Sequence, residues 1–295
     1  MAPSVAVVGA GSVGGFFAAQ ARMAGNHVKL CVRTDFDKLI VETGGNEITV
    51  DAAVHTDPAE VSFHDWVLLA VKAHQTAATA DWLAALCGPS TVVVVLQNGV
   101  EHRERVEPLA HGAEVLPAVV RYGGEAIEPG RVRHYTYGML TVPDGEAGRR
   151  LVKLFEGSAA QVKLSGDLDQ EAWSKLVTNV AANAIPAITL QRLSVFRRPE
   201  VADLARALMM ECIAVAGAIG VDVPAELARS EVERLSGLPD HVGSSMLYDR
   251  LAGRSLEYDA LNGAVVRIGA RHGVPAPLNR AMVALLGAIS EGGGS

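Results

Sequence analysis

Cysteine is scarce in this 295-residue chain: Cys31, Cys87 and Cys212 are the whole complement. They are odd in number, far apart, and in no Cys-x-x-Cys or Cys/His spacing. That argues against a disulfide framework and supplies no zinc ligand set, so no metal is expected and a reducing cytoplasm is the expected location. Positive charge is also short, with 26 Lys and Arg against 33 Asp and Glu, a net charge of −7 and a pI near 5.7. Nucleic acid, which wants a spread of unpaired basic residues, is therefore not an expected partner. No apolar run reaches the ~18–20 residues needed to span a bilayer, so no membrane partner is expected either. The apolar opening "MAPSVAVVGAGSVGGFF" has no basic n-region, and its glycines would break a helical h-region. It reads as a first strand and turn, not a signal peptide. The closing "EGGGS" reads as a flexible tail or cloning remnant, and no internal repeat is present.

What is present suits two cores in about 300 residues: 49% hydrophobic and 20% charged side chains. The first half alternates short β-branched runs with helical periods. "SVAVVG" (4–9) and "HVKLCV" (27–32) bracket a helix from about Val13 to Ala24, and "WVLLAV" (66–71) and "TVVVVLQN" (91–98) bracket another from about Thr76 to Leu86. Buried strands alternating with helices imply a doubly wound parallel sheet of the α/β class. Around residues 115–143, short strands with the turn signals "EPGR" and "PDGE" predict extra strands added to that sheet. After about Gly166 helical periods dominate: 170–185, 199–220 with Pro at its start and Gly at its end, 224–235, 255–272 and 279–290. This composition shift predicts two domains, a Rossmann-type domain over 1–166 and an all-helical domain over 167–295.

"VVGAGSVGG" sets Gly9, Gly11 and Gly14 as G-x-G-x-x-G between a strand and a helix. In that context Gly9 permits the tight turn, Gly11 lets backbone approach a pyrophosphate, and Gly14 lets the helix pack on the strand. The helix N-terminus then offers N–H groups to phosphate. The residue after the second strand decides which dinucleotide is preferred. There Arg33, whose guanidinium suits a 2′-phosphate, favours NADP over NAD. Asp35, two residues on, is expected to be the N-cap of the next helix rather than a ribose ligand. Lys72 and Gln75 in "AVKAHQT" and Asn98 in "LQNGV" follow the third and fourth strands, on the edge where open α/β sheets bind ligands.

In "WSKLVTNVAANAI" (173–185), Lys175, Asn179 and Asn183 recur every four residues, a spacing that draws one polar stripe along a helix. Asparagine is a poor helix former that needs hydrogen-bond partners, so a merely solvated face would more cheaply carry Glu, Lys or Gln. Downstream, "GSSMLYDRLAGRSLEYDALNG" (243–263) gathers Ser244, Ser245, Asp249, Glu257, Asp259 and Asn262. Asp249 and Asp259 are expected to be cap or ion-pair residues, and spacing alone singles out neither Ser245 nor Glu257.

Taken in order, "GAGSVGG", "VKAHQT", "LQNGV", the Lys175-Asn179-Asn183 helix, "SSML", "LNG" and "GVPAPLN" resemble the ketopantoate reductases (2-dehydropantoate 2-reductases) over nearly the whole chain. The resemblance implies a Rossmann domain joined to a helical domain with the active site in the cleft. It also implies NADPH-dependent reduction of a small 2-oxo acid. Lys175 would be the general acid, Glu257 would join it in the catalytic set, and Asn98, Asn179, Asn183 and Ser245 would position substrate. The cofactor set would be Gly9, Gly11, Ser12, Val13, Gly14, Arg33, Lys72, Gln75 and Asn98. Departures from the family pattern fall at His241, Val242 and Gly243, where many members are more polar, and at Tyr248, where glutamine is common; they bear on which acid is the substrate. Open alternatives are a related 2-oxo acid or 3-hydroxyacid oxidoreductase on the same plan and, in another class, a non-catalytic NADP-binding redox sensor. The sensor would keep Gly9, Gly11, Gly14 and Arg33 but would have no use for Lys175 with Asn179 and Asn183. A homodimer is left open.

Overall fold

The computed structural model describes residues 2–292; Met1 and, of the expected tail, residues 293–295 lie outside the description. The chain divides into two compact units, residues 1–168 and 169–295.

In the first unit β1 (Ser4–Val8), β2 (His27–Cys31), β5 (Ala53–His55), β6 (Trp66–Leu69), β7 (Val92–Val95) and β8 (Glu114–Pro117) form one sheet. Its order is β5-β2-β1-β6-β7-β8, every pairing parallel. The central runs VAVV, WVLL and VVVV are buried on both faces, as a parallel sheet covered on both sides requires. Helix α1 (Ser12–Met23) covers one face, and α2 (Ala80–Leu86) and α3 (His102–Val106) the other.

Three strands fall where the periodicities above give none: β3 (Leu39–Thr43), β4 (Asn46–Val50) and β5. They overturn the expectation that Asp35 caps a helix, because the element that follows it is β3. The additional strands also assemble into a sheet of their own. Strand β10 (Arg131–Pro143) runs antiparallel to β9 (Val119–Glu128) and parallel to β3 through its first half and to β11 (Gln161–Ser165) through its second. This second sheet lies on the far side of α1, so Phe16 and Phe17 pack with Val5 and Val7 of the first sheet and with Leu39, Val132 and Leu140 of the second. Each such fully buried side chain contributes about 1.5–3 kcal/mol. Helix α4 (Glu146–Leu154) precedes β11.

The edge of the first sheet at the strand N-termini is closed by ordinary structural contacts. The Asp65 carboxylate accepts from Ser4 N–H and Oγ–H, both at 2.8 Å. His64 is buried beside it, and desolvation pulls its pKa below the usual imidazole value although its Nδ1 lies 2.6 Å from the Ser62 carbonyl.

The second unit is helical: α5 (Leu168–Ala182), α6 (Ala184–Thr189), α7 (Pro199–Ala218), α8 (Glu226–Ser236), α9 (Ser245–Leu251), α10 (Asn262–Arg271) and α11 (Pro277–Gly292). The stretch expected as one helix over 170–185 breaks at Asn183. Pro186 explains the break: it has no N–H for the Ala182 carbonyl, and its ring crowds that carbonyl. Asn183 itself keeps right-handed helical angles and donates its N–H to Asn179 at 3.1 Å, so the stripe survives the interruption. Helix α10 starts seven residues later than its periodicity suggests, leaving Glu257 in the preceding turn.

Asp249 and Asp259 pair with Arg254 and Arg267, as the ion-pair expectation has it. All three cysteines are buried thiols. Burial pushes Cys31 to about 12 and Cys87 to about 11, and Cys212 still higher. Among the described residues no helix is long and apolar enough to cross a membrane.

Candidate active site

Parallel pairing decides where the first unit can bind. Val8 lies in register with Cys31 and with Leu69, and Leu69 with Val95, so four strands end level. The Gly9–Gly14 turn, Arg33, the 71–75 segment and Asn98 therefore follow one sheet edge. Gly9 has φ +93° and donates its N–H to the Cys31 carbonyl at 2.9 Å, which ties the turn to the end of β2. A Cβ on Gly14 would fall 1.9 Å from the Gly9 carbonyl oxygen, so helix and turn approach this closely only with glycine there.

Gly11 is exposed, and a Cβ built on it meets nothing within 4 Å. The N–H groups of Ser12, Val13 and Gly14 precede the first intrahelical bond, from Gly15 N–H to the Gly11 carbonyl at 2.7 Å, and no side chain caps them. Open space in front of uncapped amides fits a dinucleotide pyrophosphate. Arg33 and Asp35 are both exposed beside this edge.

The loop carrying Lys72 is held from within. Gln75 Oε1 accepts from Lys72 N–H at 3.3 Å, closing the turn. Buried Gln97 donates from Nε2 to the Val71 carbonyl (3.1 Å) and to Thr76 Oγ1 (2.9 Å), while Thr76 passes its own hydrogen to the Ala73 carbonyl (2.8 Å). His102 Nε2 lies 3.1 Å from the Gln97 carbonyl. This lock sets the loops bearing Lys72 and Asn98 relative to each other. It escaped the sequence reading because Gln97 sits beside the more conspicuous Asn98.

In the second unit Lys175 and Asn179 are half-buried on one face of α5, and Asn183, at its end, is buried. Asn183 Oδ1 accepts from Ser245 Oγ at 3.1 Å and from Met246 N–H at 3.3 Å. The Met246 amide can only donate, so it fixes which end of the Asn183 amide is the oxygen, and Ser245 must then be giving its single hydroxyl hydrogen to that oxygen. The structure thus joins Asn183 to Ser245 across 62 residues. Ser244 Oγ caps α9 by accepting from Leu247 N–H at 3.3 Å. Arg250 Nη1 donates to the carbonyls of Ala187 and Ile188 and so holds the end of α6 on α9. Glu257 is buried in the turn before α10.

The helical frame has a polar interior the sequence reading did not assemble. Asn262 Nδ2 donates to the Val180 carbonyl of α5 at 2.9 Å and to Asn279 Oδ1 at 3.0 Å; Asn279 Nδ2 in turn donates to Glu211 at 2.9 Å. Asn262 and Asn279 are fully buried, so the contacts anchor α5 to α10, α11 and α7 from inside.

Residues 5–147 match the family described as Ketopantoate reductase PanE/ApbA, and residues 167–290 match its C-terminal part. A Mycobacterium tuberculosis protein named 2-dehydropantoate 2-reductase is 39% identical over 296 residues, covering all of both chains. Among solved structures, a PanE/ApbA family ketopantoate reductase from Ralstonia eutropha superposes with a TM-score of 0.91 at 33% identity, covering 99% of this chain and all of that one. A ketopantoate reductase from Staphylococcus aureus, described as dimeric, gives 0.89 at 26% with the same coverage. With both halves matched and the full length shared, the chain belongs to the ketopantoate reductase family.

Proposed function

We propose that this protein reduces 2-dehydropantoate (ketopantoate) to (R)-pantoate with NADPH, on the route to pantothenate and coenzyme A. The observation that carries the reading is the face of α5, where a lysine and an asparagine are half-buried in line with Asn183, itself locked to Ser245. Bound at the sheet edge, NADPH supplies the hydride. The uncapped amides of Ser12, Val13 and Gly14 hold its pyrophosphate, and Arg33 with Lys72 meets the 2′-phosphate; Gln75 shapes the loop that carries Lys72.

The chain's own chemical task is to fix the ketone and manage a proton. Charge building on the carbonyl oxygen is met by the Lys175 ammonium, which then donates a proton to that oxygen as general acid. Asn98 and Asn179 orient the substrate as neutral amides. Asn183 sets Ser245 and the start of α9, and Glu257 lines the substrate side of the site. A cytoplasmic homodimer completes the reading: buried, high-pKa thiols suit a reducing compartment, and the S. aureus neighbour is described as dimeric.

The test is NADPH oxidation followed at 340 nm with ketopantoate beside a panel of other 2-oxo acids, and with NADH in place of NADPH. Ketopantoate with NADPH should give the highest kcat/KM. Faster turnover of another oxo acid would replace the substrate, and equal turnover of NADH would remove the role given to Arg33.

A further inference from the structure

Strands β6 and β7 end level, Leu69 opposite Val95, so two residues past each end Val71 stands beside Gln97. Leu96 N–H donates to the Leu69 carbonyl at 2.8 Å as the strands finish. Beyond that bond the Val71 carbonyl is met by a side chain, Gln97 Nε2, at 3.1 Å. A carbonyl can only accept, so this contact fixes the Gln97 amide with its nitrogen towards Val71. The N–H of the same peptide group, on Lys72, donates to Gln75 Oε1 at 3.3 Å. The Val71–Lys72 peptide is therefore gripped at both of its polar ends, by a buried glutamine from the neighbouring strand end and by a half-buried one three residues on. Thr76 braces the grip, accepting from Gln97 Nε2 at 2.9 Å and donating to the Ala73 carbonyl at 2.8 Å.

A rigid peptide plane held at its oxygen and at its hydrogen cannot turn without breaking both bonds, so the direction in which the Lys72 side chain leaves the loop is set. The same segment lies directly against the glycine turn. A Cβ on Gly9 would fall 2.8 Å from Val71 Cγ1 and 3.0 Å from the Val71 nitrogen, and one on Gly14 would fall 2.9 Å from Ala70 Cβ. Lysine has a long flexible stem that loses freedom when its ammonium meets an anion, and a fixed root makes that loss smaller. The gain reaches only a ligand that uses the ammonium. NADPH carries the 2′-phosphate that would use it, and NADH does not.

We propose that Gln97, acting with Gln75 through the Val71–Lys72 peptide, is a positioning residue for the choice of NADPH over NADH: it aims Lys72 at the 2′-phosphate and, being buried, does so without touching the cofactor. The proposal rests on the NADPH reading above.

The test measures Kd for NADPH and for NADH by calorimetry in the wild type, Gln97→Met, Lys72→Ala and the double variant, with thermal melts alongside to confirm folding. Methionine is close to glutamine in size and removes the donor to Val71. Gln97→Met should weaken NADPH binding about 5- to 20-fold, part of what loss of a charge-assisted contact costs, and move NADH less than about twofold. In the Lys72→Ala background the same substitution should change the ratio of the two constants by less than about twofold. Gln75→Met, which loosens the other end of the peptide at a less buried position, should shift the ratio in the same direction and carries the test if Gln97→Met does not fold. Equal weakening of both cofactors, an unchanged ratio, or a shift that persists undiminished without Lys72 overturns the proposal while the NADPH reading stands. A wild type that binds NADH as tightly as NADPH, or Lys72→Ala with the wild-type ratio, removes the role given to Lys72 and, with it, the proposal.

Discussion

The two units present their candidate binding groups in different materials. The sheet edge of the first unit works largely with backbone: positive φ at Gly9, a missing Cβ at Gly14, and amides left uncapped at the start of α1. Its charged groups, Arg33 above all, stand exposed at the rim. The helical unit works with buried asparagine side chains tied to partners far along the chain, Asn183 to the Ser245 hydroxyl and Asn262 to the Val180 carbonyl. A backbone site tolerates exchange of its rim residues at the cost of affinity alone, whereas an interlocked site couples function to folding. The contrast predicts which substitutions separate activity from stability.

The largest effect is expected at Lys175. Lys175→Ala should lower kcat by about 10²- to 10⁴-fold if it is the proposed proton donor, while NADPH should still bind at the glycine turn of the first unit. Cofactor titration beside steady-state kinetics checks both halves; a kcat within tenfold of wild type would break the assignment. Next comes Arg33→Asp, which should raise KM for NADPH about 10- to 100-fold with kcat and melting temperature nearly unchanged, since the contacts proposed for Arg33 lie on a non-reacting part of the cofactor. Asn183→Ala should behave in the opposite way. Stripping the acceptor from Met246 N–H and Ser245 Oγ should cost about 1–3 kcal/mol in denaturant unfolding as well as activity. If Arg33→Asp unfolds more easily than Asn183→Ala, the comparison fails.

The smallest effect belongs to the far edge of the sheet. His64 is held neutral by burial, so its folded pKa lies below the unfolded value near 6.5. As pH falls through that unfolded value the unfolded chain takes up a proton first, and stability is lost until the folded pKa is passed. Melting temperature should therefore decline between pH 7 and pH 5, and His64→Gln should flatten that decline by about 1–3 °C without touching kinetics.

The same contrast explains what could be read from residues alone. The parallel sheet, the glycine turn and the start of α1 announce themselves through local signals: β-branched runs, G-x-G-x-x-G and a change of period. The Lys175, Asn179 and Asn183 stripe was legible for the same reason, being periodic within one helix. What stayed hidden depends on partners far apart in the chain. Asn183 finds Ser245, Gln97 finds Val71 and Thr76, and Arg192 finds Tyr248, none of which a local pattern encodes. Strands β3 and β4 escaped because much of their surface is half-buried or exposed, which blurs the alternation that marks a strand, and Asp35 was misread as a helix cap in consequence. The break at Asn183 was written in Pro186, but a proline three residues on is easily passed over when the apolar period runs straight through it.

The buried sulfur atoms have a practical corollary. Thiol-directed probes react with thiolate at an accessible sulfur, and Cys31, Cys87 and Cys212 offer neither access nor, with their raised pKa values, appreciable thiolate near neutral pH. A cysteine introduced at an exposed position such as Glu128 would take a maleimide dye alone. Ligand-induced rearrangement could then be followed by fluorescence in a chain that keeps all of its native sulfur.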